Sequence, residues 1–138
     1  FCGVGTFAFR LARHHATHAV ENDASSLAAL DRAQRAASGL KPLTSERRDL
    51  FRRPLTAKEL KRFDGVLFDP PRAGAEAQAR QLAESSVRRV VAVSCNPLTL
   101  ARDARILVDG DYRLTEVTPI DQFLWSHHVE AVALFERV

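Results

Sequence analysis

Short apolar runs alternate with stretches of helical period from one end of this chain to the other, without internal repeats or low-complexity linkers. That alternation predicts a parallel sheet with crossover helices. Thr6 to His15 reads as a first helix with Phe7, Leu11 and Ala12 on one face, and His18 to Glu21 as a short strand. Asp23 or Ser25 would cap a second helix running to Ser38, with Leu27, Leu30 and Ala33 towards the sheet and Gly39 in the stop position past its end. A weakly patterned strand is expected near Thr44 to Asp49, and Thr56-Ala57-Lys58-Glu59 has the form of a capping box opening a short helix to Arg62.

In the second half, Gly65-Val66-Leu67-Phe68-Asp69 predicts a buried strand, ended by Pro70-Pro71 because neither proline can donate to a ladder. A helix over Ala75 to Glu84 leads into a strand at Val90 to Val93, and Pro97 suits the first position of a further helix to about Leu107. After the turn at Asp109-Gly110-Asp111, Arg113 to Pro119 and Glu130 to Arg137 read as strands joined by a loop too short for a helical crossover, so one of them must run antiparallel. The expected fold is a Rossmann-like α/β domain spanning residues 1–138, a mostly parallel sheet with one antiparallel strand and helices on both faces. Only the last residues of the strand that should feed the first glycine turn precede it. The chain therefore reads as a fragment with its first strand truncated.

Composition adds limits. With 138 residues, 46% of them hydrophobic and 27% charged, one globular domain can bury a core. No apolar stretch approaches the roughly 20 residues of a membrane helix, and no signal peptide opens the chain, so a cytoplasmic location is expected. The net charge of +3 comes from arginine more than lysine. Forked arginine donors suit phosphate, although a solvated surface would show the same balance. The two cysteines, Cys2 and Cys95, would end the first and fifth strands; they make neither a metal cluster nor a disulfide framework and are read as reduced.

The candidate chemistry lies at strand ends. Gly3-Val4-Gly5-Thr6 fits a glycine-rich turn that lets a ligand approach the backbone, and Glu21 at the end of the next strand adds a carboxylate of the kind that grips a ribose diol. Together they suggest a nucleoside cofactor, either a dinucleotide or S-adenosylmethionine. Asp49 would meet an adenine amino group, or is a solvated charge beside Arg47 and Arg48. Asp69 ends an apolar strand, where a carboxylate is costly unless it binds something. Cys95 follows a strand, precedes a helix start whose dipole favours negative charge, and shares its sheet edge with Asp69; elsewhere a lone cysteine is usually an inert buried thiol. His127, His128 and Glu130 open the last strand. Neighbouring residues of a strand point to opposite faces, so no metal site is expected there. Glu130 as a base, with His128 on its face, stands beside the plainer reading of a solvated strand start.

Phe1-Cys2-Gly3-Val4-Gly5-Thr6-Phe7, Asp69-Pro70-Pro71-Arg72-Ala73-Gly74, Ser94-Cys95-Asn96-Pro97 and His128-Val129-Glu130, in this order across the chain, resemble the motifs of the RNA 5-methyluridine methyltransferases. The Thr99-Leu100-Ala101-Arg102-Asp103 helix joining the last two makes the match specific. The resemblance implies a class I methyltransferase catalytic domain that moves a methyl group from S-adenosylmethionine to C5 of a uridine in ribosomal or transfer RNA, with no obligate protein partner. It implies that Phe1, Gly3, Gly5 and Thr6 line the cofactor, Glu21 binds its ribose, Asp49 its adenine region, and that Asp69 faces cofactor and base alike. Cys95 would add at C6 and Glu130 remove the C5 proton, with Arg72 and Asn96 on the RNA side. One departure stands out: the family has a proline after the phenylalanine of the loop before the glutamate, whereas here Phe123 is followed by Leu124-Trp125-Ser126. An upstream RNA-binding β-barrel module is also expected from the family. Of the rivals, an amino-methyltransferase would want an aromatic where Arg72 stands, and a nicotinamide dehydrogenase would leave Cys95 and Glu130 unused. A non-catalytic RNA-binding module would keep the fold and the basic surface.

Overall fold

The order of elements follows the alternation in the sequence. In a computed structural model describing residues 1–126 and 128–138, the chain runs α1 (Thr6–Ala12), β1 (Thr17–Glu21), α2 (Ala24–Ala36), β2 (Leu43–Arg47), α3 (Ala57–Leu60), β3 (Gly65–Phe68), α4 (Glu76–Ala83), β4 (Arg89–Ser94), α5 (Pro97–Asp109), β5 (Tyr112–Ile120) and β6 (Glu130–Arg137). Two units divide it, Phe1–Arg53 and Pro54–Val138.

In the first unit β1 and β2 pair in parallel, Thr17 opposite Leu43 through Glu21 opposite Arg47. The core is built on small residues: Ala8 and Ala12 of α1 and Ala19 of β1 pack with Leu30 of α2 and Leu43 of β2. Two expected core positions lie elsewhere. Leu11 is 38% exposed, because α1 turns its alanines inward, and Ala33 is exposed while Leu27 and Leu30 are buried. Gln34, one residue further on, reaches inward instead, its Nε2 donating to the Leu43 carbonyl at 2.6 Å. No strand forms at residues 1 and 2; the Phe1 ammonium and the Cys2 amide both donate to the Val20 carbonyl. Cys95 consequently follows the fourth strand rather than a fifth.

The second unit holds a four-stranded sheet in the order β3-β4-β6-β5. β3 and β4 are parallel, and β6 is antiparallel to both β4 and β5. Thus β5 runs with β3 and β4, and β6 is the one reversed strand of this sheet, in agreement with the short connection read from the sequence. Phe68, Val90, Ala92, Leu82, Leu107 and Phe135 are among the buried residues. At the far edge Arg137 lies over the Tyr112 ring at 4.3 Å and donates to the Leu82, Ala83 and Gly110 carbonyls. It satisfies acceptors that the end of α4 leaves open. The other edge, where β3 and β4 end and β6 begins, is where parallel α/β sheets place ligands and chemistry.

Candidate functional site

Ladder register brings the reactive side chains of the second unit together. Ser94, the last residue of β4, pairs with Ala131 in the antiparallel β4–β6 ladder, so Cys95, the next residue of one strand, and Glu130, the preceding residue of the other, lie at the same end of the sheet. Phe68 pairs with Ala92 in the parallel β3–β4 ladder, so one further step sets Asp69 beside Val93. Asp69, Cys95 and Glu130 therefore gather at one end of the sheet, where β3 and β4 finish and β6 begins. Electrostatics agrees: burial, then the neighbouring Asp69 carboxylate, raises the Glu130 pKa above its ordinary value, partly offset by a hydrogen bond from Gln122 Nε2 at 3.1 Å. Asp69 is exposed as a residue, yet the protein crowded around its carboxyl group pushes its pKa up as well. Cys95 is a free, half-buried thiol.

Other residues of the Cys95 motif form a mount for the thiol. Ser94 Oγ accepts from the Asn96 amide and donates to the Asn96 carbonyl, both at 3.1 Å, clipping the turn with Cys95 at its tip. Asn96, expected on the RNA side, has both ends of its amide engaged: Oδ1 caps α5 by accepting from Leu98 N at 3.1 Å, and Nδ2 donates to the Arg72 carbonyl at 3.0 Å. Pro97 opens the helix. Thr99 Oγ1 adds a second tie to the Arg72 carbonyl at 3.1 Å. Further along α5, Arg102 Nη2 donates to the Ala73 carbonyl at 2.9 Å, and the Asp103 carboxylate, 2% exposed, accepts from Ala75 N at 2.6 Å and from Arg102. Gly74 sits among these groups at φ +79, and a Cβ there would stand 2.6 Å from Arg102 Nη2 and 2.8 Å from Asp103 Oδ2. The loop after Asp69 and the helix after Cys95 are thereby locked together, and the exposed Arg72 side chain stands at the top of that lock. Ser94, Thr99 and Asp103 carry little signal at sequence level, because a hydroxyl or carboxylate bonded to backbone is recognisable only once the loop is in place.

In the first unit the glycine turn and the strand-end acid meet as the spacing suggests. Gly3 takes φ +52 and Gly5 φ +98, conformations costly for residues with a Cβ. The two are constrained differently: a Cβ on Gly5 would lie 2.9 Å from the Phe9 ring and 3.1 Å from Leu30, whereas one on Gly3 would meet nothing within 4 Å. Glu21 Oε2 accepts from Gly3 N at 2.9 Å, while Oε1 accepts from Asn22 N at 2.7 Å and Asp23 N at 3.1 Å. Burial alone would raise this carboxyl, but the amides of Gly3, Asp23 and Asn22 outweigh it and hold the pKa below the ordinary value. Thr6 is the exposed first residue of α1. Asp49, two residues past β2, caps the next turn, its Oδ1 accepting from Phe51 N at 2.9 Å. Phe51, which the sequence reading passed over, sets its ring edge-to-face with Phe1 at 5.2 Å.

His127 lies outside the described residues. His128 is half-buried, its ring edge-to-face with Phe123. Among the described residues no group of three His, Cys, Asp or Glu side chains could hold a metal ion, and no helix is long and apolar enough to cross a membrane. An open hollow of about 630 Å³ lined by Asp64, Arg88, Arg89, Glu136 and Arg137 lies at the opposite end of β4 from Cys95 and takes no part in this constellation.

The family model for tRNA (uracil-5-)-methyltransferases matches residues 1–138. An uncharacterized RNA methyltransferase of Mesorhizobium japonicum is 66% identical over 137 residues, covering 99% of this chain and 33% of that protein. The 23S rRNA (uracil(1939)-C(5))-methyltransferase of Hahella chejuensis is 40% identical, covering 99% of this chain and 32% of that protein. Among solved structures, the Pyrococcus abyssi tRNA (uracil-54, C5)-methyltransferase in complex with S-adenosyl-L-homocysteine superposes with a TM-score of 0.82 at 32% identity, over 97% of this chain and 32% of that one. The magnesium protoporphyrin IX methyltransferase of Synechocystis, at 17% identity and a TM-score of 0.72, shares the Rossmann-like methyltransferase fold alone. The chain spans about a third of the length of the curated relatives it matches. Fold, motif order and family model agree, and the chain belongs to the tRNA (uracil-5-)-methyltransferase family.

Proposed function

We propose that this chain is the catalytic portion, residues 1–138, of a cytoplasmic enzyme that methylates C5 of a uridine in ribosomal or transfer RNA, with Cys95 as nucleophile and Glu130 as base. The observation that supports the reading is the β4–β6 pair Ser94–Ala131, which brings the residue after one and the residue before the other, Cys95 and Glu130, to one end of the sheet, with the Glu130 carboxyl raised by burial and by Asp69. A base that must take a carbon-bound proton gains from a raised pKa, provided it remains ionised at working pH.

The residues present fit S-adenosylmethionine. Gly3 leaves open space beside the backbone where a side chain would otherwise stand, Glu21 presents a fixed carboxylate for a ribose diol, and Asp49 with Phe51 offers an acceptor and a ring face to the adenine. Phe1, Gly5 and Thr6 complete the same turn. When bound, the cofactor supplies the electrophilic methyl group that uracil C5 takes up.

Uracil C5 is a poor nucleophile until a thiolate adds at C6. The Cys95 Sγ–C6 bond forms and the electron pair of C5=C6 moves into an enolate, so that C5 can accept the methyl group. Glu130 then removes the proton left on C5; that pair restores C5=C6 and expels the Cys95 thiolate. Asp69 keeps the Glu130 carboxyl basic. Arg72, held by Asn96 and Thr99 through its backbone carbonyl, is free at its guanidinium to meet RNA phosphate.

Fluorine at C5 cannot leave as a proton, so RNA containing 5-fluorouridine should trap the adduct. With S-adenosylmethionine, full-length wild-type protein should form a covalent complex stable to denaturation, and Cys95→Ala should form none. Wild-type protein that binds the RNA without forming an adduct would sink the reading.

A further inference from the structure

The loop joining β5 to β6 holds its apolar side chains unusually. Gln122 N donates to the Ile120 carbonyl at 3.2 Å, Ser126 N to the Phe123 carbonyl at 3.1 Å, and His128 N to Ser126 Oγ at 3.1 Å. The Phe123 and His128 rings meet edge to face with centroids 6.3 Å apart. Between these fastenings Trp125 sits at φ +59 with its side chain fully in solvent, at 103% relative exposure, beside Leu124 at 83%. A bulky residue in the left-handed region is strained, and an indole in water forgoes the burial that makes tryptophan stabilising. The fold thus spends local strain to hold a large aromatic face outward, where it does nothing for the packing of this unit.

Its position gives that face a use. Ile120 and Glu130, at the two ends of the loop, are paired in the β5–β6 ladder, and Cys95 lies one register step beyond the Ser94–Ala131 pair. Trp125 precedes Glu130 by five chain steps, so its Cα lies within about 18 Å of the Glu130 Cα, the length of about five stacked nucleotides. We infer that Trp125 is an RNA-binding residue, its indole stacking on an unpaired nucleobase that flanks the target uridine.

The inference rests on the RNA-methylation reading. A target base extruded from its stack leaves a neighbour with an uncovered face, and an aromatic side chain covers such a face whatever the base. Trp125 is a protruding tip, suited to a flat base. The net charge of +3, carried by arginine far more than lysine, with Arg72 exposed after Asp69 at the same sheet edge, favours a polyanion over an apolar protein partner.

The test uses full-length protein with unmodified 23S rRNA and tRNA transcripts. On the transcript that wild type methylates, Trp125→Ala should raise KM for RNA about 5- to 100-fold, leave KM for S-adenosylmethionine unchanged and change kcat at saturating RNA by less than about threefold. Trp125→Phe should recover most of the RNA affinity and Trp125→Leu should not, since Leu keeps apolar bulk without a π-face. Wild-type KM in the Ala variant, or equal rescue by Leu and Phe, would overturn the inference. So would a large fall in thermal stability in the Ala variant, which would place the indole against another part of the protein. Equilibrium binding without cofactor separates the two readings: absence of a 5-fluorouridine adduct in wild type defeats the methyl-transfer reading, while unchanged RNA binding in Trp125→Ala defeats this one.

Discussion

Glu21 and Glu130 both stand at strand ends, yet their surroundings push them in opposite directions. Three backbone amides surround Glu21 and hold its pKa down against burial; Glu130 has burial and the Asp69 charge against it and one side-chain amide for it. A carboxylate satisfied by fixed backbone donors stays ionised and still, which suits holding a neutral diol. One crowded by a like charge has a raised affinity for a proton, which suits removing one. The difference fits the proposed division of labour, binding in the first unit and proton transfer in the second, and it can be broken by exchanging what surrounds each acid.

The largest effect is expected on the chemical step. Glu130→Gln should lower kcat by about 10²–10⁴ with little change in KM for S-adenosylmethionine. Ordinary uridine RNA should then accumulate as a covalent Cys95 adduct, because the methylated intermediate keeps its C5 proton. Glu21→Gln should do the reverse, raising KM for the cofactor while the adduct turns over. Equal effects of the two variants on kcat would erase the distinction between the units.

Next comes the mount. Asp103→Ala removes the buried acceptor that holds Ala75 N and Arg102, and about 3 kcal/mol of stability should be lost in urea denaturation of the full-length protein. Gly74→Ala forces a Cβ against Arg102 and Asp103 at positive φ and should cost about 2 kcal/mol. Both should also lower kcat, since the mount sets Cys95 and Arg72. A stable Asp103→Ala protein with full activity would mean that the lock between loop and helix is dispensable.

The sheet of the second unit was legible in the sequence because β3 and β4 are apolar runs closed by prolines or a turn, and the short β5–β6 connection required one of those last two strands to reverse. Cys95, Asp69 and Glu130 stood out in the sequence by their place at strand ends, and the structure gathers them at one end of the sheet. Asn96 shows what local sequence leaves out: an amide beside a nucleophile reads as a substrate ligand, and in the structure its side chain also caps α5 and holds the Arg72 carbonyl. Asp103 and Gln122 act through partners 28 and 8 residues away, a relation that no local pattern encodes. Leu11 and Ala33 failed for a related reason, since a helical stripe of alanines and leucines does not say which residues meet the strand.

A smaller effect separates the two glycines of the turn. Gly5→Ala meets Phe9 and Leu30 as well as an unfavourable φ, and about 2 kcal/mol of stability should go. Gly3→Ala meets only the φ penalty, about 1 kcal/mol, but its methyl enters the space assigned to the cofactor, so affinity for S-adenosyl-L-homocysteine measured by calorimetry should fall further than stability does. Unchanged affinity in Gly3→Ala would remove the glycine turn from the cofactor site.

The smallest effect is the most direct reading of the contrast. The proposed base Glu130 would work only when ionised, so activity should rise with pH through its pKa, which lies above the ordinary value of 4.5. Asp69→Asn removes the like charge, lowers that pKa and should move the acid limb of the kcat profile to lower pH; Glu21→Gln should leave the limb where it is. Stability carries the opposite signs for the two acids. Glu21, lowered on folding, contributes stability that is fully present above its unfolded value of 4.5 and is lost as pH falls through the folded pKa. Glu130, raised on folding, favours the folded state below 4.5 and loses that contribution as pH rises through its folded pKa. Urea denaturation across this range should therefore show Glu21→Gln flattening the acid loss of stability and Glu130→Gln steepening it. Slopes of the same sign in both variants would show that the two glutamates do not sit in the contrasting fields described above.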